Sequence, residues 1–184
     1  MRLFFALWPD PDARAQLAEA AADLPTAGGA ILVAPENYHL TLVFVGEVAE
    51  SRVPLLQQIG GEQRAVACTI KIDAYEYWRE PRVLVAVARE TPTALKEMSV
   101  GLYERLALHG AQLNPENPRS AKAAPFRAHV TLARKVAQAP VLEAMSPFCW
   151  SARSFTLVRS DTSGARSVYT VVDTWPLLDE TAQP

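Results

Sequence analysis

The chain alternates between short apolar runs and amphipathic stretches, a pattern that predicts interleaved strands and helices. Residues 2–8 form a continuous apolar run bounded by turn residues, which is typical of a fully buried strand. Other runs are rich in β-branched and aromatic residues and lie between residues that favour turns. The predicted strands are residues 2–8, 31–34, 38–46, 65–78, 83–88, 128–134, 148–158 and 167–175.

Three helices are predicted where a capping residue precedes a proline in the first turn. The pairs are Asp10 with Pro11, Ser51 with Pro54 and Thr91 with Pro92. Breakers predict that these helices end by residues 25–29, near residues 60–61 and at Gly110. The apolar stripe of the third helix comprises Leu95, Met98, Leu102, Leu106 and His109. A loop at 111–125, a hairpin turn at 161–164 and a frayed tail at 181–184 complete the prediction.

Two strand–helix–strand series recur along the chain. The first joins strand 2–8 to strand 38–46, and the second joins strand 83–88 to strand 128–134. A chain of 184 residues suits one domain. We therefore predict a single domain over residues 1–184, built of two intimately packed lobes that are related by a pseudo-twofold axis.

Composition narrows the class of protein. The chain is 49% hydrophobic and 21% charged, which is ordinary for a globular protein, and its net charge of −2 argues against a broad electrostatic grip on nucleic acid. A small phosphate ligand in a locally basic cleft is still compatible with that charge. Cys68 and Cys149 match no zinc spacing and no disulfide framework, and the apolar run at the N-terminus is too short for a signal peptide. We expect a soluble, cytoplasmic protein.

The two central strands of these series each contain a histidine and a threonine two residues apart, His39 with Thr41 and His129 with Thr131. Because side chains alternate along a strand, each pair shares one face. Leu40, Leu42 and Phe44 are predicted to enter the opposite, core-facing side. Two imidazoles and two hydroxyls on rigid strands are therefore expected to converge on one small anion.

Each of these residues could also have a purely structural role. A lone histidine in an apolar strand is usually structural, and threonine also occurs in strands for its shape alone. Two of the three histidines of the chain in the same setting favour function instead. The third, His109, ends a helix stripe and is assigned no chemistry.

Basic and aromatic neighbours are weaker candidates. Arg134 suits a phosphate contact, but its parity is opposite to that of Thr131, so a strand end or a bulge must bring it back; the alternative is a solvated surface arginine. Arg127 is a weaker candidate still. Tyr38 and Phe44 have the wrong parity to stack a base beside His39 and are assigned to the core or its rim.

Opening a cyclic phosphodiester suits two histidines and two threonines. Such a reaction needs a base for water, an acid for the leaving alkoxide and donors for the phosphate oxygens, and imidazole serves either proton-transfer role near neutral pH. A metal site is disfavoured because two histidines without a nearby carboxylate or thiolate are an incomplete ligand set. The chain has no nucleophile elbow, P-loop or dinucleotide-binding glycine turn.

Segments 39–46 (HLTLVFVG) and 129–134 (HVTLAR) resemble the paired His-x-Thr motifs of the two-histidine (2H) phosphoesterases. Within that superfamily the chain is similar to the bacterial LigT-like RNA 2′,3′-cyclic phosphodiesterases, historically called 2′-5′ RNA ligases. The likeness extends to residues 2–7 (RLFFAL), 35–37 (PEN), 81–84 (PRVL) and 125–127 (PFR).

The resemblance implies an α+β fold of two lobes, with antiparallel sheets lining a central cleft and helices outside. It also implies hydrolysis of RNA 2′,3′-cyclic phosphate ends to 2′-phosphates without metal or cofactor, together with reversible 2′-5′ ligation. By motif position His39 would be the proton donor and His129 the proton acceptor, with Thr41 and Thr131 holding the phosphate. Arg134 joins them as a candidate phosphate ligand.

Two alternatives stay open. One is a non-catalytic module that binds nucleotides or RNA ends, and the other is a phosphodiesterase for a different cyclic or 2′-5′-linked nucleotide. In each case the expected partner is an RNA end or a small cyclic nucleotide, with no membrane or protein partner implied. A monomer is expected.

Overall fold

Strands and helices follow one another in the predicted order in the computed structural model, which describes residues 1–22, 24, 27–110, 126–161, 164 and 167–179. The strands are Arg2–Leu7 (β1), Ile31–Leu32 (β2), Leu40–Glu47 (β3), Cys68–Ile72 (β4), Ala74–Trp78 (β5), Val83–Val87 (β6), His129–Arg134 (β7), Phe148–Ala152 (β8), Ser154–Asp161 (β9) and Val168–Pro176 (β10). The helices are Pro11–Ala22 (α1), Val53–Glu62 (α2) and Thr93–Leu108 (α3), with 3-10 turns at Ala27–Gly29, Pro35–Asn37 and Glu50–Arg52. Within the described ranges no helix has the length and apolar character needed to cross a bilayer.

Two matching antiparallel sheets are built from the two strand–helix–strand series. One sheet has the order β10-β9-β1-β3, and the other has the order β5-β6-β7-β2. The strands β9, β1 and β3 of the first sheet correspond to β5, β6 and β7 of the second. In each sheet the two strands of a series are antiparallel neighbours, and β9 or β5 lies beside the first of them. The strands β3 and β7 contact each other where the lobes meet. The α+β, two-lobed fold is therefore confirmed, and the two His-x-Thr strands lie at its centre.

Each sheet packs one face into a shared apolar core. Phe5 and Leu42 of the first lobe lie in the same buried cluster as Ala86 and Leu132 of the second. The opposite faces carry two smaller apolar clusters, which are Phe4, Ala6 and Val158 in the first lobe and Ala74, Val83, Val85 and Val87 in the second. We call these the outer faces, because they lie away from the shared core.

The first two helices begin differently. Asp10 caps α1 as predicted, because its Oδ1 accepts a 2.8 Å hydrogen bond from the Ala13 amide. The prediction of a Ser51 cap is wrong, since Ser51 lies inside the turn Glu50–Arg52 and α2 has no side-chain cap. That turn continues directly into α2, so its own backbone hydrogen bonds replace the cap.

Helix α3 begins at Thr93, and the predicted Thr91 cap is also wrong. The Thr91 hydroxyl instead accepts a 3.0 Å hydrogen bond from the amide of Ala128, next to the second motif histidine. The predicted buried stripe is confirmed for Leu95, Met98, Leu102 and Leu106. His109 does not extend that stripe: it is the exposed C-cap residue, and Gly110 follows with a φ of 66°.

Two predicted long strands are each divided between sheets. The stretch 65–78 splits at Asp73 into β4 and β5, and the stretch 148–158 splits at Arg153 into β8 and β9. The strands β4 and β8 belong to neither four-stranded sheet and pair with each other as a separate two-stranded sheet. The Asp73 side chain accepts a 3.0 Å hydrogen bond from the Arg89 amide, which stabilises the bend between β4 and β5.

Smaller differences concern the ends of segments. The first His-x-Thr strand begins at Leu40, directly after His39, and runs one residue beyond Gly46. The predicted loop 111–125, the turn residues 162–163, the tail 181–184 and the breaker Pro25 lie outside the described residues.

Candidate active site

The four motif residues lie on the outer faces of the two central strands. His39 directly precedes β3 and His129 is the first residue of β7. Thr41 lies opposite Ala6 of β1, and Thr131 lies opposite Val85 of β6. Since residues opposite each other in a sheet share a face, both threonines lie on the small apolar clusters rather than in the shared core.

A β-bulge follows the threonine in each motif. The extra residue is Leu42 in the pairing of β3 with β1, and Leu132 in the pairing of β7 with β6. A bulge adds one residue to one strand and shifts the facing of the residues beyond it. The two motifs therefore match in their backbone irregularity as well as in their sequence.

Because of these bulges, the residue five positions after each histidine lies on the same face as that histidine. Phe44 lies opposite Phe4 and packs in the small cluster beside His39, so the prediction that Phe44 enters the opposite side is wrong. Arg134 lies opposite Val83, on the cluster that underlies Thr131. The bulge that the Arg134 hypothesis required is thus present.

His39 is in contact with three aromatic rings. Its centroid lies 5.0 Å from that of Phe4, 5.3 Å from that of Trp8, which is stacked at 17°, and 5.0 Å from that of Tyr169 in an edge-on contact. Its Nδ1 lies 2.7 Å from the carbonyl oxygen of Asn37. Because a carbonyl only accepts, Nδ1 carries a proton in this contact, and Nε2 is the nitrogen that can exchange a proton with a ligand.

His129 repeats this arrangement with other partners. Its Nδ1 lies 2.8 Å from the carbonyl oxygen of Arg127, which again stands two residues before the histidine. The ring of Trp78 lies 4.4 Å from the imidazole, centroid to centroid. Both imidazoles are thus held in the same tautomer by their own backbone, and each is in contact with a tryptophan.

Arg134 links the lobes. Its Nη2 donates a 3.3 Å hydrogen bond to the hydroxyl of Tyr169, whose ring contacts His39. A guanidinium from the second lobe is thereby placed beside the histidine of the first. Guanidinium and hydroxyl donors at this junction suit an anionic ligand.

Arg127 does not extend toward that junction. Its guanidinium forms a two-point ion pair with Glu76, with 2.8 Å between Nη1 and Oε2. Partial burial on its own would raise the pKa of the Glu76 carboxyl, but the hydrogen bonds from Arg127 and Trp78 outweigh it and leave the pKa lowered. Arg127, the weaker of the two arginine candidates, is therefore engaged by Glu76.

Tyr38 is buried in the shared core, as its parity predicted. Burial, with a smaller contribution from Glu36, raises the pKa of its phenol. Among the described residues no three His, Cys, Asp or Glu side chains cluster as a set of metal ligands. A cavity of about 420 Å³ beneath the segment 141–146 is lined by none of the motif residues.

Comparison with known protein sequences yields consistent matches. A family model described as LigT-like phosphoesterase matches residues 7–85. The RNA 2′,3′-cyclic phosphodiesterase of Escherichia coli (strain K12) is 31% identical over 179 residues, covering 96% of each chain. The RNA 2′,3′-cyclic phosphodiesterase of Thermus thermophilus is 32% identical over 188 residues, covering 98% of this chain and 92% of its own.

Solved structures give the same result. The apo form of E. coli LigT superposes with a TM-score of 0.82 at 29% identity, and covers 96% of this chain and 97% of its own. E. coli LigT complexed with 3′-AMP superposes with a TM-score of 0.80 at 28% identity, and covers 96% and 98%. The likeness therefore extends over both lobes and both motifs.

Proposed function

Because the chain belongs to the LigT-like phosphoesterase family, we propose that it hydrolyses 2′,3′-cyclic phosphodiester ends of RNA to 2′-phosphate ends. The observation that carries this proposal is the pair of matched motifs, each with its imidazole anchored through Nδ1 and its threonine just before a bulge. The names of the E. coli and T. thermophilus relatives support the same substrate class.

In the proposed reaction each of the two histidines transfers one proton. His129 accepts a proton from water through Nε2, and the water oxygen forms the new bond to phosphorus. The bond from phosphorus to the 3′ oxygen breaks, and the leaving 3′ oxygen takes a proton from the Nε2 of His39. The phosphate stays on the 2′ oxygen. The assignment of donor and acceptor follows the family resemblance, since the two anchors are equivalent.

The remaining candidate residues stabilise charge on the phosphate. Hydroxyls of Thr41 and Thr131 donate to the non-bridging oxygens, and the Arg134 guanidinium adds a charged donor. Their placement supports this role: both threonines lie on the outer faces, and Arg134 reaches the residue that packs on His39.

Three further parts belong to the proposal. The reaction needs neither metal nor cofactor, because the imidazoles supply both proton transfers and the three donors stabilise the charge on the phosphate oxygens. It takes place in the cytoplasm, which agrees with Cys68 and Cys149 being thiols rather than a disulfide. Ligation is the same chemistry with a 5′-hydroxyl of RNA in place of water, giving a 2′-5′ linkage.

Alanine substitution of each histidine tests the proposal. His39→Ala and His129→Ala should each lose hydrolysis of a nucleoside 2′,3′-cyclic phosphate by at least about 10²-fold, because each removes a proton-transfer group. Phosphorus NMR of the product should show the 2′-phosphate, and EDTA should leave the wild-type rate unchanged. His109→Ala is the matched control and should be fully active.

Full activity in either single variant overturns the proposal, provided that circular dichroism shows a folded protein. Tight nucleotide binding by a wild-type protein that never turns over would identify a binding module instead. A parallel assay with 2′-5′-linked dinucleotides and longer cyclic-phosphate RNAs separates the substrate alternatives.

A further inference from the structure

Glu76 joins two contacts that both end at His129. Its carboxylate accepts hydrogen bonds from Arg127, whose backbone carbonyl anchors the Nδ1 of His129. It also accepts a 2.9 Å hydrogen bond from the Nε1 of Trp78, whose ring packs 4.4 Å from the imidazole. One carboxylate on β5 thus holds both the hydrogen-bond partner of the imidazole and the ring against which the imidazole packs.

The first lobe anchors its histidine by other means. The carbonyl of Asn37 belongs to the 3-10 turn Pro35–Asn37, in which the amide of Asn37 donates a 2.8 Å hydrogen bond to the carbonyl of Ala34. The Asn37 side chain adds a 3.3 Å hydrogen bond to the carbonyl of Ser167. The carbonyl that holds His39 is therefore fixed by regular backbone structure.

Before His129 the described residues contain no such turn, since 126–128 belong to neither a helix nor a strand. Backbone and side-chain contacts hold this short segment, and in one of them the Ala128 carbonyl accepts a 3.0 Å hydrogen bond from the Ala88 amide. The Thr91 hydroxyl accepts from the amide of Ala128, and Glu76 holds the side chain of Arg127. Without Glu76 the Arg127 carbonyl would lose the side-chain contact that fixes its residue on the sheet.

We propose that Glu76 is a positioning residue that holds the imidazole of His129 in its reactive orientation, acting through Arg127 and Trp78. This inference rests on the proposed function, in which His129 accepts a proton from water. A base must lie in hydrogen-bond reach of the proton it removes, so a shift of about 1 Å slows the reaction by about 10²-fold. A change of tautomer would put a proton on Nε2, the nitrogen that has to accept one. Glu76 itself touches neither the substrate nor the reacting atoms.

Kinetics of two Glu76 variants test this role. Glu76→Ala removes both hydrogen bonds and should lower kcat for a cyclic mononucleotide by about 10-fold to 10²-fold while KM changes by less than about twofold. Glu76→Gln keeps the shape and one acceptor oxygen but breaks the two-point pairing with Arg127. Its kcat should therefore lie between that of the wild type and that of Glu76→Ala. Melting curves of both variants report any general loss of folding.

Glu62→Ala is the matched control. Glu62 also pairs with an arginine, Arg105, at 3.6 Å, but on α2 and α3, away from both motifs. Its removal should leave kcat unchanged. Arg127→Ala should slow the reaction as Glu76→Ala does, and the double variant should be little slower than either single one, because the residues act as a unit.

The tautomer of His129 gives a readout that does not depend on activity. Long-range proton–nitrogen NMR should show His129 protonated at Nδ1 in the wild type and a mixture of tautomers in Glu76→Ala, with signals assigned from His39→Ala and His109→Ala. An unchanged tautomer together with a kcat within twofold of wild type overturns the positioning role. If the wild type hydrolyses no cyclic phosphate, the proposed function fails, and the tautomer still decides the role of Glu76.

Discussion

Each motif histidine is anchored through Nδ1 to a backbone carbonyl two residues earlier. A neutral carbonyl partner fixes a proton on Nδ1, so Nε2 is the nitrogen that each imidazole presents to a ligand. The difference between the two sites then lies in their surroundings. His39 is in contact with three aromatic rings, whereas His129 is in contact with Trp78 and lies beside the Glu76–Arg127 pair.

The threonines can be tested by removing only the hydroxyl. Thr131→Val keeps the branched shape and should lower kcat by about 10²-fold to 10³-fold, which is typical for the loss of one donor to developing charge. Steady-state hydrolysis of a cyclic mononucleotide measures the effect. Thr69→Val, on the exposed side of β4, is the matched control and should be unaffected. A Thr131→Val enzyme as fast as the control would show that this hydroxyl does not contact the phosphate.

At the residue scale the sequence was informative for contacts that are local. The histidine and threonine of each motif are two positions apart, so strand alternation alone places them on one face. The aromatic rings around His39 were not foreseen, because Phe4, Trp8 and Tyr169 come from distant parts of the chain. Glu76 was missed for the same reason, since its link to Arg127 depends on how β5 and β7 flank β6.

At the element scale, strands were easier to detect than their irregularities. The bulges leave one trace in the sequence, two consecutive buried apolar residues, Leu42-Val43 and Leu132-Ala133. In a continuously apolar run this trace looks the same as ordinary burial on both faces, so it could not be recognised. The division of the stretches 65–78 and 148–158 was hidden for a different reason, because pairing partners decide where a strand leaves its sheet.

Helix α2 lies so close to β10 that the contact leaves no room for a side chain at one glycine of the helix. A Cβ atom on Gly60 would come within 2.5 Å of the ring of Trp175, which itself packs on Phe5 and Phe155. Gly60→Ala should therefore destabilise the protein by about 1–3 kcal/mol through overpacking, measured by urea unfolding.

Gly61→Ala is the natural control for that substitution. Its Cβ would meet the Trp175 Nε1 at 3.6 Å, an ordinary contact. It should therefore show only the gain in helix propensity, about 0.5–1 kcal/mol. Equal stability of the two variants would mean that α2 can move away from the sheet.

At the scale of the whole molecule, helices α1 and α3 each pack against strands from the other half of the chain. Helix α1 connects toward β3 in the sequence, yet it contacts β7 and β8; helix α3 connects β6 to β7, yet it contacts β3. The buried cluster accordingly contains residues of both sheets. Among the described residues, the large buried cluster is shared by both lobes, which supports the proposal that residues 1–184 form one domain.

One domain with a shared core should unfold in a single cooperative transition. We expect far-ultraviolet circular dichroism and tryptophan fluorescence to give coincident curves in urea, for a protein that light scattering shows to be a monomer. Gly60→Ala provides the decisive comparison, because its clash is confined to the first lobe. In one domain it should lower hydrogen-exchange protection in β6 and β7 as much as in β1 and β3. Loss of protection in the first lobe alone would show two units that unfold independently, and the site between them would then depend on their docking.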